Sequence, residues 1–265
     1  MTGRYLLRFG SLAYLALLLL APLGLVGYRT FEDGWHPFWA AITTPTALHA
    51  LKLTLLIAVV AVPLNTLFGV LCALAIVRHR LPGVGLVNAL VDLPLALSPV
   101  VVGLALFLLY GREGWLDGLP VQILFAYPGM LLATIFVSLP FVVREVVPML
   151  REIGTDQEEA AATLGASPLA IFRRVTFPAV RWAVGYGVVL TTARAIGEYG
   201  AVAVVSGRIA GRTETLTLHV DAAYENFDTV GAYGSSVLLA AIAVATLVLM
   251  TLLRPKEEAR GDRGT

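Results

Sequence analysis

The chain has 265 residues, of which 58% are hydrophobic and 14% charged, with a mean hydropathy of +0.81 and a formal net charge of +1. Soluble domains are about 25% charged, so this composition excludes an ordinary soluble enzyme and points to a membrane protein. The near-neutral charge makes no case for a nucleic-acid partner, and none is expected. Cys72 is the single cysteine and excludes an intrachain disulfide. His36, His49, His79 and His219 lack metal-ligand spacing, so neither metal nor cofactor is expected.

In chain order, six apolar runs each approach the ~20 residues a helix needs to cross a bilayer: 11–28, 51–77, 84–110, 124–147, 182–206 and 234–253. The first follows Arg4 and Arg8 in the manner of a secretory signal. No clean small-x-small cleavage site follows, however, and five more runs come after it, so an uncleaved first helix is expected. With the N-terminus inside, Arg78, Arg80, Arg144, Arg151, Arg173, Arg174, Arg181, Arg254, Lys256, Arg260 and Arg263 join Arg4 and Arg8 on the cytoplasmic side. Only Arg29, Lys52, Arg112, Arg194, Arg208 and Arg212 fall outside or in the membrane. The positive-inside bias therefore places both termini in the cytoplasm. Outer loops are expected at 29–50, 111–123 and 207–233, and inner loops at 78–83 and 148–181. The charged tail after residue 253 reads as a solvated end. No repeat or linker is visible, so residues 1–265 read as one membrane domain with its core at 51–253. A P-loop needs a lysine in a glycine-rich context. Neither Lys52 nor Lys256 has one, so ATP chemistry, if used, belongs to another chain.

The longer inner loop, about 148–181, contains EEAAATLGASPLAIFRRVTFP. Thr155 and Asp156 are good helix N-caps, each with a glutamate three positions on (Glu158 and Glu159), which is a doubled capping-box pattern with acids in the first turn. Ala160, Ala161, Ala162 and Leu164 favour helix, and Gly165 falls where a left-handed C-cap is wanted. Ser167-Pro168 starts a second helix carrying Leu169, Ile171 and Phe172, with Arg173 and Arg174 in its last turn and Pro178 to halt it. The expected product is helix, sharp turn, short helix with an exposed Leu/Ile/Phe face. That face would either dock in a partner's groove or lie on lipid headgroups with help from the two arginines.

This stretch resembles the EAA loop of ABC-importer permeases. Glu159-Ala160-Ala161, Gly165 and Val175-Thr176-Phe177-Pro178 keep the family spacing, with Val for Ile and Phe for Leu as departures. The resemblance implies the type I importer permease fold, all-α with six transmembrane helices and a cytoplasmic coupling helix-turn-helix. It implies that Glu159 and Gly165 shape the loop, and that the helix at 169–174 contacts a cytoplasmic ABC ATPase dimer. Residues 191–232, with the core ARAIGEYGA and the later VVSG and YENFD, resemble the sulfate, thiosulfate and molybdate permeases, most of all the W-type sulfate/thiosulfate subunit. DLPLALSPVVVG at 92–103 matches a proline-bearing core helix of the same group. The implied function is import of sulfate or thiosulfate through a bacterial inner membrane, with molybdate or tungstate as the alternative ion. The implied partners are a T-type second permease, the ATPase dimer and a periplasmic or membrane-tethered binding protein.

Arg194 and Glu198 lie four apart within the fifth run, on one face of a continuous helix. Charge at that depth costs at least ~2.5 kcal/mol, so a partner is required. The pair either braces packing or lines an anion path with Ser98 and Thr191. Asp92, near Pro94 and Pro99, reads as support for a broken helix. Pro63 and Pro140 also fall within spans, and Gly185, Gly187, Gly197 and Gly200 read as close-packing positions. Outside, residues 208–228 mix charges with alternating apolar residues. The resemblance makes Arg208, Arg212, Glu225 and Asp228 a docking surface for the binding protein, where a plain solvated loop is the alternative. A gradient-driven carrier would need inverted repeats and acid-rich half-helices, and a scaffold would leave the cassette unexplained.

Overall fold

The computed structural model describes residues 2–79, 82–118 and 120–253, so Arg80 and the charged tail, including Arg254, Lys256, Arg260 and Arg263, lie outside the described residues. The described elements are helical: α1 (Thr2–Phe31), α2 (Trp35–Ile42), α3 (Pro45–Arg78), α4 (Val84–Ala96), α5 (Pro99–Tyr110), α6 (Tyr127–Ser138), α7 (Pro140–Ile153), α8 (Asp156–Thr163), α9 (Pro168–Ile171), a π-helical segment (Phe172–Thr176), α10 (Phe177–Ile196), α11 (Gly200–Val205), α12 (Leu216–Glu225) and α13 (Thr229–Leu253). Among the described residues, four helical stretches are long and apolar enough to span a membrane: Arg8–Phe31, Pro45–Arg78, Tyr127–Ile153 and Thr229–Leu249. The pair α4/α5 becomes a fifth if counted as one span.

Prolines break two of the apolar runs. The run at 84–110 is two helices bent by 107°. The ring of Pro99 forces the preceding residue out of the helical region, and Ser98 is extended at φ −61°, ψ 136°. Within 127–153 the backbone is interrupted at Leu139-Pro140. There the Leu139 N–H bonds to Phe136 O, leaving the Ile135 carbonyl without its helical donor. Buried Asn65 of α3 supplies one, donating to Ile135 O at 3.0 Å and to Ser138 Oγ at 2.9 Å. A backbone group freed by proline at membrane depth is thus satisfied by a neighbouring helix.

Several boundaries differ from the sequence expectation. The run at 182–206 is not one helix: α10 ends at Ile196, and the short α11 restarts after Gly197, Glu198 and Tyr199. The outer loop at 29–50 holds α2, and the one at 207–233 holds α12. Leu216 and Leu218 are buried there on a helix, so the segment is not a plain solvated loop. Pro148 lies inside α7, and Pro178 begins α10 instead of halting the helix before it. Pro178 follows the π segment directly, so the N–H it lacks falls where the bonding pattern already changes from i→i+5 to i→i+4.

One apolar cluster, toward the C-terminal end of α3, contains Val70, Ala73, Ile76, Val142, Val146, Leu150, Val180 and Val184. A second, toward the N-terminal end, contains Leu53, Ile57, Met130, Val137, Ala201, Val205 and Leu218. Two glycines let α3, α7 and α10 meet. A Cβ on Gly69 would stand 2.6 Å from Val142 Cβ, and one on Gly187 would stand 2.8 Å from Val142 Cα. Val142, fully buried, is therefore gripped between two bare backbones. Large apolar side chains such as Leu55, Val59, Leu67 and Leu71 of α3 stay exposed, the expected surface for lipid or a partner helix.

Candidate functional site

The cassette sits at the ends of α3 and α7. α8 begins after Gly154, at φ +70°, and ends at Gly165, at φ +79°. The Gly165 N–H donates to Ala162 O at 2.9 Å and the Ala166 N–H to Ala161 O at 3.1 Å. This 5→2 and 6→1 pair is the Schellman closure, which needs the left-handed residue glycine supplies. Ser167 Oγ then accepts from the Ala170 N–H at 3.4 Å, with Pro168 in the first turn, and α9 begins.

The doubled capping box does not form. Thr155 Oγ1 donates to Glu159 Oε1 at 2.7 Å, with no side-chain bond to the α8 backbone. Glu158 turns inward, where Arg78 Nε and Nη2 donate to its two oxygens at 2.9 and 3.2 Å, and Thr176 Oγ1 donates to Oε1 at 2.8 Å. A half-buried arginine, donating charge-assisted bonds to both oxygens, outcompetes a backbone N–H for the carboxylate. Nor does the second helix end at Arg174: backbone bonding continues through the π segment into α10, and Arg173 and Arg174 are exposed on it. The expected Leu/Ile/Phe face is divided. Leu169 is 65% exposed and Leu164 is 89% exposed. Phe172 instead packs against the Val142/Leu150 cluster, and Ile171 is half-buried. Ala160 and Pro178 are exposed and Ala161 is half-buried.

The second region lies at the α10–α11 break. Glu198 is buried, yet not on the Arg194 helix: it follows the end of α10, with Oε2 2.6 Å from Arg194 Nη1 and Oε1 accepting from the Ala201 N–H at 2.8 Å. It therefore neutralises the arginine and caps α11 together, while its own carbonyl accepts from Thr217 Oγ1 at 2.7 Å. A cavity of ≈ 10 Å³, about one water in size, is lined by Thr54, Thr134, Glu198 and Thr215. Thr191 is fully buried with its Oγ1 unbonded, and Ser98 is exposed at the α4–α5 bend. The two breaks meet: a Cβ on Gly200 would come within 3.1 Å of Pro99 Cβ. Asp92 does not cap the broken helix but pairs with Arg144 of α7, accepting from Nε at 2.6 Å.

On the outer segment Arg208, at φ +51°, donates from Nη1 to Asp221 Oδ2 at 3.0 Å and from Nη2 to Tyr199 Oη at 3.2 Å. Arg212 and Glu225 are exposed, and the Arg212 carbonyl lies 3.2 Å from His49 Nε2. Asp228 accepts from the Gly231 N–H at 2.9 Å, so it caps α13. The side chains the sequence reading passed over are Arg78, counted there only as an inside charge, and Thr54, whose Oγ1 accepts the Leu216 N–H at 2.8 Å. The adjacent acids Glu158-Glu159 were the available signal for Arg78, since one of two neighbouring acids must turn from the helix face the other occupies. Among the described residues no cluster of His, Cys, Asp and Glu could hold a metal.

Residues 65–256 match the family described as binding-protein-dependent transport system inner membrane component. The chain is 51% identical over 250 residues to a sulfate transport system permease protein CysW of Synechococcus elongatus, covering 93% of this chain and 87% of the relative. It is 37% identical over 257 residues to the sulfate permease CysT of Escherichia coli, covering 96% and 92%. In fold it matches a chain of a bacterial alginate ABC transporter, crystallised with an alginate-bound periplasmic protein, at a TM-score of 0.74 with 16% identity over 93% of this chain and 91% of that one. A bundle broken at prolines, a helix–Schellman–helix cassette at one end and near-full-length similarity to CysW proteins lead to one assignment: the chain belongs to the binding-protein-dependent transport inner-membrane components, among the W-type sulfate permeases.

Proposed function

We propose that the chain is the W-type permease subunit of an ATP-driven importer that carries sulfate, and thiosulfate as a near-isosteric dianion, into the cytoplasm. It does no bond chemistry of its own. A cytoplasmic ATPase dimer drives it through α8 and α9, a T-type permease completes the path, and a periplasmic binding protein delivers the anion to the face bearing Arg208, Arg212, Glu225 and Asp228. On this reading six helices cross the inner membrane, with α4/α5 and α10/α11 as broken spans and both termini cytoplasmic. Arg194, held but not released by Glu198, marks the path with Ser98 and Thr191. An arginine left bare there would hold a dianion too tightly for release, and the ion pair with Glu198 relieves that.

The observation that carries the reading is the cassette itself, a compact turn of two helices that exposes Leu164 and Leu169 at the end of the bundle where the arginines gather. An apolar pair on a helical knob is the shape that seats in a groove of another protein.

The test is labelled sulfate uptake by cells lacking this chain. Native sequence is expected to restore uptake, and Gly165→Pro to abolish it at equal membrane abundance, because proline cannot adopt φ +79° and removes the N–H given to Ala162. Gly165→Ala should keep most uptake: a Cβ there meets no atom within 4 Å, so only about 1 kcal/mol of backbone strain is added. Normal uptake with the proline variant would remove the cassette from the mechanism. Native chain that restores molybdate but not sulfate uptake would overturn the ion.

A further inference from the structure

We infer that Arg78, Glu158 and Thr176 form the joint through which α8 moves α3 and α7, an inference that rests on the coupling role proposed above. The Arg78 guanidinium spreads over every element that meets here. It donates to both oxygens of Glu158 on α8, from Nη1 to Leu150 O at 3.1 Å in the last turn of α7, and from Nη2 to Gly154 O at 2.7 Å just beyond it. Thr176, in the π segment that opens α10, donates to the same Glu158. One carboxylate and one guanidinium thus tie α3, α7, α8 and the start of α10 at a single point.

Further observations make this a joint and not one contact among many. α8 buries none of its residues, so it has no apolar face fastening it to the bundle. Its hold on α3 is the fork of Arg78, whose side chain and that of Glu158 retain 12% and 19% exposure. A pair so shielded transmits force that a solvated surface pair would lose to water. The adjoining π segment, with its wider i→i+5 turn, is the kind of element that absorbs a local change of register. Lysine would not serve equally, since one ammonium lacks the planar fork that binds a carboxylate and two carbonyls together.

The test uses the complete transporter in proteoliposomes, with sulfate uptake and ATP hydrolysis read from the same preparation. Arg78→Gln is expected to lower uptake about tenfold while hydrolysis falls less than about twofold, within the usual range of site–site coupling. ATP consumed per sulfate then rises about fivefold or more. Glu158→Gln should do the same, Arg78→Lys should recover part of the native ratio, and the near-isosteric Thr176→Val should raise the ratio by about twofold. If Arg78→Gln fails to assemble, Thr176→Val and Arg78→Lys decide. A native ratio in every assembled variant, or uptake and hydrolysis falling in step, overturns the joint and leaves a brace. Leu169→Asp separates the two readings. If it spares both uptake and hydrolysis, the coupling role itself fails. If it abolishes uptake while Arg78→Gln keeps the native ratio, the coupling role stands and the joint is lost.

Discussion

Replacing Glu198 by alanine is expected to abolish sulfate uptake and to lower the stability of the permease by about 3 kcal/mol or more, the cost of leaving one partner of a buried pair uncompensated. The variant removes three things at once: the counter-charge 2.6 Å from Arg194, the acceptor for the Ala201 N–H, and a wall of the threonine-lined cavity. Glu198→Gln separates them, because its amide oxygen still accepts from Ala201 while the charge is gone. Arg194→Ala/Glu198→Ala should be more stable than Glu198→Ala alone, since no bare cation is then left in the bundle. The measurement is thermal unfolding in detergent beside uptake in cells. A Glu198→Ala protein that unfolds at the native temperature would show the two charges to be uncoupled. If the double variant is stable yet transports nothing, that supports Arg194 in the path.

The second large effect is expected on α10. Gly187→Ala should lower the unfolding temperature by roughly 5 °C, taking about 2 kcal/mol for overpacking and 2–4 °C per kcal/mol for a chain near this size. The new Cβ would come 2.8 Å from the Cα of Val142, and backbone cannot step aside as a side chain can. Gly185→Ala, two residues earlier on the same helix, is the control. There a Cβ meets nothing within 4 Å, so the change should be neutral or slightly stabilising through helix propensity. Gly69→Ala should behave like Gly187→Ala, because it presses on Val142 from the other side. Equal melting of Gly185→Ala and Gly187→Ala would mean that α7 and α10 do not approach as closely as this packing requires.

Much of the architecture is legible in the residues because the membrane imposes it. Apolar length locates Pro45–Arg78 and Thr229–Leu249, since a spanning helix must satisfy its own backbone over a fixed thickness. Local chemistry likewise locates Gly165 and Ser167-Pro168, whose conformations are set within four residues and require no distant partner. The α10–α11 break was not legible: the run at 182–206 is apolar enough to read as one helix, and the donors that satisfy Glu198 at the break, the Ala201 N–H and the Thr217 hydroxyl, are set by the fold.

The sequence by itself determined a helical membrane bundle, the position and turn of its polar cassette, and the class of protein it resembles. These follow from hydropathy, φ preferences and side chains near in sequence. Only the tertiary structure decided where the charges go. Glu158 was free to cap its own helix, but Arg78, 80 residues earlier, holds it. Asp92 was free to support a broken helix, but Arg144, 52 residues on, pairs with it. An ionised side chain takes the opposite charge that the fold brings within reach, whether the pair is shielded, as Arg78–Glu158 is, or partly exposed, as Arg144–Asp92 is, and sequence spacing does not reveal which side chain that is.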